Sequence, residues 1–292
     1  MGGTKSVPAG SQEFDQPWRE TPWENKVLLK ENLRELAVNH PNVKHVRILL
    51  TGQIGAGKSS FINSANSAFQ GRITTEALVD SVSADRSFTK AYRTYYIRDR
   101  QSVLPFVFND IMGLESRESQ GADPEDIVKC LEGLLKEGHK FNPAVPAKND
   151  NYRSSSSSEN LTYCLVYVIA ADKVSMLDDD VFKKMKYIRQ KASELEIPQV
   201  IIMTRVDEAC PLVRKDLRKI YTSKKIKEKM QECSCLVGVP VSHIFPVKNY
   251  YEETDNQDDM DVLILRALKH IVQIADDLVQ RKKYELEQVE RA

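Results

Sequence analysis

The stretch "VRILLTGQIGAGKSSFINS" (46–64) constrains this fold more than any other part of the 292-residue chain. "VRILL" (46–50) reads as a short buried strand that ends directly on a glycine turn. Ser59 to Phe69 reads as a helix stopped by Gly71. Between them, "GQIGAGKS" fits G-x-x-x-x-G-K-[ST] at every fixed place: Gly52, Gly57, Lys58 and Ser59. Glycines let the main chain wrap closely and turn its N–H groups inward, and the helix that follows offers its positive end. A bare pattern of this kind arises by chance, but a strand before it and a helix after it are the context that gives it meaning. The expected phosphate contacts are Gly52, Gln53, Ile54, Gly55, Ala56, Gly57, Lys58, Ser59 and Ser60. Lys58 would reach the β- and γ-phosphates, and the Ser59 hydroxyl would hold Mg²⁺.

The rest of the chain repeats the strand–helix alternation. Strands are predicted at 91–98, at 102–110 with an irregularity at Pro105, and at 161–170, 199–204 and 243–247. A helix opens at "TPWE", with Thr21 as N-cap, Pro22 next and Glu24 closing a capping box, and continues through Leu29, Leu33 and Leu36. Asp123 caps a helix with Ile127, Leu131 and Leu134 on its apolar face and Gly138 as its stop. Further helices are predicted at about 179–195, in the charged stretch 211–236, and at 258–288, where Ile264, Leu268, Ile271, Ala275 and Leu278 make one stripe. This pattern predicts an α/β fold: a doubly wound, mostly parallel sheet in three α/β/α layers. Residues 1–20 read as a flexible arm that Trp18 and Trp23 anchor. Residues 21–292 read as one domain, with a mobile serine-rich loop at 141–160 and a long terminal helix.

Downstream residues extend the phosphate chemistry. "FVFNDIMGLE" sets Asp110 at the end of an apolar strand and Gly113 three residues on, giving D-x-x-G. Asp110 would hold Mg²⁺ through water, and the Gly113 N–H would sense a γ-phosphate. Thr89 is the expected second Mg²⁺ ligand, weighed evenly against a capping or strand threonine. "IIMTRVDEA" gives Thr204-Arg205-Val206-Asp207, close to [NT]-K-x-D, at a strand end where ligands bind in open α/β sheets. A carboxylate at Asp207 accepts from both guanine N1–H and the exocyclic amine, a donor pair that adenine lacks. Arg205 replaces lysine, and its planar head is still suited to covering a base. That replacement also leaves an ATP-using enzyme as an alternative. Val247, Lys248 and Asn249 in "FPVKNYYEE" are expected beside the base.

This motif order is that of translation-factor-related GTPases. "ILLTGQIGAGKSSFINS", with "FDQPWRE" ahead and "DIMGLE" and "VKNYY" behind, resembles the interferon-induced protein 44 and 44-like family from about residue 14 onward. The resemblance implies a GTPase-like domain in a cytoplasmic, interferon-responsive protein of antiviral defence, without the additional N-terminal domain of longer members. The expected ligands are GTP or GDP with Mg²⁺. Many small GTPases carry a glutamine after the D-x-x-G glycine, and Leu114 stands there instead, unable to orient water. Ile54 adds bulk in the phosphate loop. Both predict slow hydrolysis, or hydrolysis completed by a homodimer or another protein partner. Glu115 and Arg117 lie nearby without an established role. The competing class is an interaction protein that does not turn nucleotide over.

Composition sets the outer bounds. Lys+Arg and Asp+Glu both count 42, so net charge gives no bulk attraction to nucleic acid, and no nucleic-acid partner is expected. The basic run 214–230 reads as a solvated helix face. Five scattered cysteines read as reduced thiols without zinc spacing. No run is long and apolar enough to span a bilayer. "MGGTKS" fits the pattern for myristoylation at Gly2, but the pattern is short, and a chance match is favoured over acylation.

Overall fold

Six strands pair in the order β2-β3-β1-β4-β5-β6, and every neighbouring pair is parallel except β2 against β3. This computed structural model describes residues 12–36, 42–77, 91–99, 102–116, 121–141 and 151–291. In chain order the elements are α1 (Lys26–Arg34), β1 (Val46–Thr51), α2 (Lys58–Gln70), β2 (Arg93–Asp99), β3 (Ser102–Asp110), α3 (Pro124–Leu131) and β4 (Cys164–Ala170). They continue with α4 (Asp179–Glu194), β5 (Gln199–Thr204), α5 (Val206–Ala209), α6 (Pro211–Lys215), α7 (Lys224–Val237), β6 (Ile244–Pro246) and α8 (Asp258–Arg291).

The unbroken apolar run "CLVYVIA" becomes β4, buried along its whole length in the middle of the sheet. Continuous rather than alternating hydrophobicity is what a strand covered on both faces requires. Helices α1 and α2 pack on α8, α3 and α7 pack on α4, and these two groups are the outer layers. The doubly wound, mostly parallel α/β arrangement expected from the sequence is the one observed. Pro105 lies where the β2–β3 register shifts, between the Tyr96↔Val107 and Arg98↔Val103 pairs.

The α8 stripe of Ile264, Leu268, Ile271, Ala275 and Leu278 is buried throughout. At about 1.5–3 kcal/mol for each large aliphatic side chain removed from water, this helix is part of the core rather than an appendage. All five cysteines are free, and four are buried. Burial pushes the Cys233 thiol up to about 12. Among the described residues, no helix is long and apolar enough to cross a membrane.

Several local expectations are corrected. Thr21 does not cap a helix: α1 begins at Lys26, and the Thr21 hydroxyl accepts from Arg266 at 2.7 Å. Glu24 pairs with Arg218 instead of closing a capping box. Helix α3 does cap on Asp123, but it ends at Leu131, well before Gly138. Gly133, at φ 71, makes the turn there, because a Cβ would meet the Asn160 carbonyl oxygen at 2.6 Å. The stretch 211–236 breaks into α6, a 3₁₀ turn at Leu217–Tyr221 and α7, with Asp216 and Ser223 capping the later pieces.

The flexible arm expected at 1–20 does not hold for 12–20. Phe14 and Trp18 donate main-chain N–H bonds to Thr222 and Tyr221, and Lys219 pairs with Glu13. Arg19 donates to the carbonyls of Ile244 and Val241 at 2.7 and 2.8 Å, with its guanidinium over the Trp18, Tyr221 and Phe245 rings. Of the serine-rich segment, 151–160 are bound to their surroundings: Ser156 donates to the Glu132 carbonyl, and Glu159 accepts from the Lys44 N–H at 2.7 Å. Within the basic run, Arg218 pairs with Asp259 of α8, and Lys229 pairs with Glu232 one turn further along α7.

What the fold does for a site follows from the parallel register. Thr51, Asp110, Ala170, Thr204 and Pro246 all end strands on one edge of the sheet.

Candidate functional site

The glycine loop lies at that edge, and its conformation explains its residues. Gly52 has φ 145, and a Cβ there would meet the Val168 carbonyl oxygen at 2.2 Å, so the loop crosses β4 with no room for a side chain. Gly57, at φ 93, is the left-handed residue from which α2 starts. Lys58 is buried and folds back over the loop, with Nζ 3.4 Å from the carbonyl oxygens of both Gly52 and Gln53. Ser59 Oγ donates to Asp110 Oδ2 at 2.7 Å. The helix start and the end of β3 are therefore joined at the two expected Mg²⁺ ligands. Ser60, next along α2, is half-buried, and its carbonyl accepts from Ser64 Oγ at 2.7 Å.

The D-x-x-G segment is fastened to the loop by main chain. Leu114 donates its N–H to Gly52 O at 2.9 Å, and its carbonyl accepts from Ile54 N–H at 3.2 Å, so Leu114 bridges to Gln53 as an outlying rung of the sheet. Leu114 is fully buried. Gly113 passes flat against Ile54, where a Cβ would come within 2.8 Å of the Ile54 nitrogen. Lys184 from α4 donates to the Glu115 carbonyl at 2.7 Å and holds the far side of the same segment.

Side chains from the ends of β5 and β6 complete the edge. Thr204 Oγ1 donates to the Ala56 carbonyl at 2.7 Å, and Arg205 Nη2 to the Gly55 carbonyl at 3.1 Å. Arg205 adopts φ 54, a left-handed conformation that costs a non-glycine residue about 1–2 kcal/mol. Its guanidinium contacts help to hold that backbone in place. Asn249 Nδ2 donates to the Gly57 carbonyl at 3.0 Å, while its Oδ1 is buried with no hydrogen-bond partner among the described residues. Asp207 Oδ2 lies 3.9 Å from Lys248 Nζ, which also pairs with Glu253 at 2.7 Å. Burial opposes ionisation of Glu253, yet the Lys248 and Tyr251 N–H bonds hold its carboxyl below the usual range.

The structure thus brings together the residues singled out at 52–60, 110, 113, 204, 205, 207, 248 and 249. Val247 differs, because it is fully buried and its N–H is taken by the Met203 carbonyl at 2.8 Å. Its side chain packs in the core. Thr89, Arg117 and Gly2 lie outside the described residues. Sequence reasoning passed over Asp172 and Glu208, which lie 3.9 and 3.5 Å from Arg205 Nη1. Asp172 stands two residues past β4, so the strand-end rule that found Asp207 would have found it too.

The donors suit Mg²⁺. A hydroxyl and a carboxylate at hydrogen-bond distance are hard oxygen ligands, and Mg²⁺ takes one or two such groups together with phosphates and waters. Among the described residues there is no cluster of three or more histidine, cysteine or carboxylate side chains able to cage a metal alone.

No protein-family model matches the chain. Among solved structures, it is similar to Toc33 from Arabidopsis thaliana in complex with GDP and Mg²⁺, at 15% identity and a TM-score of 0.47, over 87% of this chain and 91% of that one. It is also similar to a probable GTP-binding protein, engB, at 14% identity and a TM-score of 0.42, over 80% and 99%. Human interferon-induced protein 44 is 34% identical over 83% of this chain and 55% of its own length. The mouse protein of that name is 31% identical over 87% and 64%, and human interferon-induced protein 44-like is 29% identical over 88% and 57%. The chain therefore spans a little over half the length of these relatives. Over most of its own length it is similar to the interferon-induced protein 44 and 44-like proteins, the family its motifs resemble.

Proposed function

We propose that the chain binds guanine nucleotide with Mg²⁺ and hydrolyses GTP slowly to GDP and phosphate, as part of an interferon-induced antiviral response in the cytoplasm. The carrying observation is the convergence of Lys58, the Ser59–Asp110 pair, Thr204, Arg205 and Asn249 on one glycine loop. Lys58 would leave its two loop carbonyls for phosphate oxygens, exchanging neutral acceptors for charged ones. Ser59 and Asp110 would hold Mg²⁺, which neutralises charge on the β- and γ-phosphates. Asp207 would accept from the guanine N1–H and amine, with Lys248 beside it over the base. The Asn249 Oδ1, buried and without a hydrogen-bond partner among the described residues, is a further acceptor at the same edge. Its names tie the family to interferon induction; the antiviral role and the location are our extension from that family. Residues 21–292 would form the nucleotide domain.

Slow turnover follows from Leu114. A buried aliphatic side chain whose N–H and carbonyl are both engaged has nothing to offer an attacking water. The same observation favours a second reading, a nucleotide-binding interaction protein that does not hydrolyse. A second copy or a protein partner that supplies the missing group would restore turnover.

Calorimetric titration with GDP, a non-hydrolysable GTP analogue and the matching ATP analogue, all with Mg²⁺, tests the binding. Guanine-selective binding lost in Asp207→Ala supports the reading, and absence of binding to a folded protein refutes it. Phosphate release that is measurable in the wild type and abolished in Lys58→Ala separates the slow enzyme from the non-hydrolysing reading.

A further inference from the structure

The geometry points to Asp172 as a positioning residue whose carboxylate orients Arg205 onto the Gly55 carbonyl and thereby fixes the middle of the phosphate loop. This inference rests on the nucleotide reading above and concerns a residue that the recognised motifs do not include.

An ammonium in the place of Arg205 would be a single point with rotatable donors, indifferent to the direction of its other neighbours. A guanidinium is a rigid planar fork, so when one arm holds a fixed acceptor, the other arm must be given a partner or left to turn. Arg205 Nη2 takes the Gly55 carbonyl at 3.1 Å. Nη1 faces Glu208 at 3.5 Å and Asp172 at 3.9 Å. These two carboxylates are unequal. Glu208 is half exposed and rides on the same short helix, so it follows Arg205 rather than directing it. Asp172 comes from the end of another strand, and its backbone is pinned on both sides. Ala171 N–H donates to Thr204 O at 2.9 Å, and Lys173 N–H to Ala170 O at 3.0 Å.

The Asp172 carboxylate is not saturated by its contact with Arg205. Its Oδ1 is buried and has no hydrogen-bond partner among the described residues, so the carboxylate retains an acceptor for a second guanidinium N–H. Gly55 has φ 71 and nothing within 4 Å of a notional Cβ, so side-chain packing does not hold the loop apex on that side. The hydrogen bond from Arg205 is the restraint there, and Asp172 sets its direction.

A carboxylate at the edge that receives phosphates is tolerable while Arg205 neutralises it and becomes a repulsive, partly buried charge when Arg205 is removed. The two residues should therefore couple rather than add.

The test uses Asp172→Asn, Arg205→Ala and the double variant. Two readouts are taken: GDP affinity with Mg²⁺ by calorimetry, and amide hydrogen exchange at 53–57 in the nucleotide-free protein. Asp172→Asn should weaken GDP about tenfold and speed exchange at the loop, while exchange elsewhere and the melting temperature stay at wild-type values. Arg205→Ala should weaken GDP roughly a hundredfold, and the double variant should bind no more weakly than Arg205→Ala alone. Wild-type affinity and wild-type exchange in Asp172→Asn, or losses that multiply in the double variant, would overturn the inference. If the wild type binds no guanine nucleotide, the nucleotide reading fails by itself and exchange decides. Faster exchange in Asp172→Asn then upholds the Asp172–Arg205–Gly55 link, and unchanged exchange overturns it.

Discussion

The two halves of the candidate site are built on opposite plans. The half proposed for phosphate is mostly main chain, with glycines whose Cβ would collide and a Leu114 rung that ties D-x-x-G to the loop, to which the Lys58, Ser59 and Asp110 side chains are added. The base half is side chain: Thr204, Arg205, Asp207, Lys248 and Asn249, reaching in from the ends of β5 and β6. Main-chain construction fixes geometry but admits few substitutions, because the fault it produces is a steric clash. Side-chain construction tolerates exchange, as arginine in the place of the motif's lysine illustrates. The main-chain part should thus fail through stability, and the side chains of either half through affinity and selectivity.

Variants ranked by expected effect probe that contrast. Gly52→Ala puts a Cβ against the Val168 carbonyl and should cost about 3 kcal/mol of stability in urea unfolding. A loss under about 1 kcal/mol would mean that the loop moves freely over β4. Lys58→Ala should leave unfolding nearly unchanged and weaken guanine nucleotide roughly a hundredfold in a titration. Asp207→Ala should weaken the guanine ligand by about 2 kcal/mol without touching the ATP analogue, and equal losses for both would end its role as the base reader. Gly55→Ala, strained at φ 71 but unobstructed, should cost only about 1 kcal/mol, so that Gly52 and Gly55 separate collision from strain.

The smallest effect is a pH dependence. The Glu253 carboxyl is held below its ordinary 4.5, so its ion pair with Lys248 contributes fully above that value. The contribution is lost as pH falls through the lower folded value. The wild type should exceed Glu253→Gln by a few tenths of a kcal/mol at neutral pH, and the difference should vanish in acid.

The same contrast governs what the sequence made legible. The phosphate loop was readable because its residues are contiguous and its glycines are dictated by backbone geometry. The sheet was readable because "VRILL", "CLVYVIA" and "QVIIMT" are buried on both faces, and parallel strands carry that mark openly. The pairing of Arg205 with Asp172 was not readable, since the two stand at the ends of different strands and meet through folding and not through spacing. Helix boundaries failed where a local signal lost to a distant partner. Thr21 looked like a cap until Arg266, 245 residues on, took its hydroxyl. Gly138 looked like a stop, whereas Gly133 was required by the close approach of Asn160. The N-terminal residues read as an arm because their contacts lie more than two hundred residues away, on Tyr221, Thr222 and Ile244.

Arg19 has a consequence beyond anchoring. Strand β6 is three residues long and outermost in its sheet, so its unpaired side would be a template for another chain's backbone. The guanidinium of Arg19 occupies the Ile244 carbonyl on that strand and covers the neighbouring Phe245 ring with charge. Arg19 therefore blocks an acceptor on that open edge, and a chain shortened past it should gain a tendency to aggregate by strand addition.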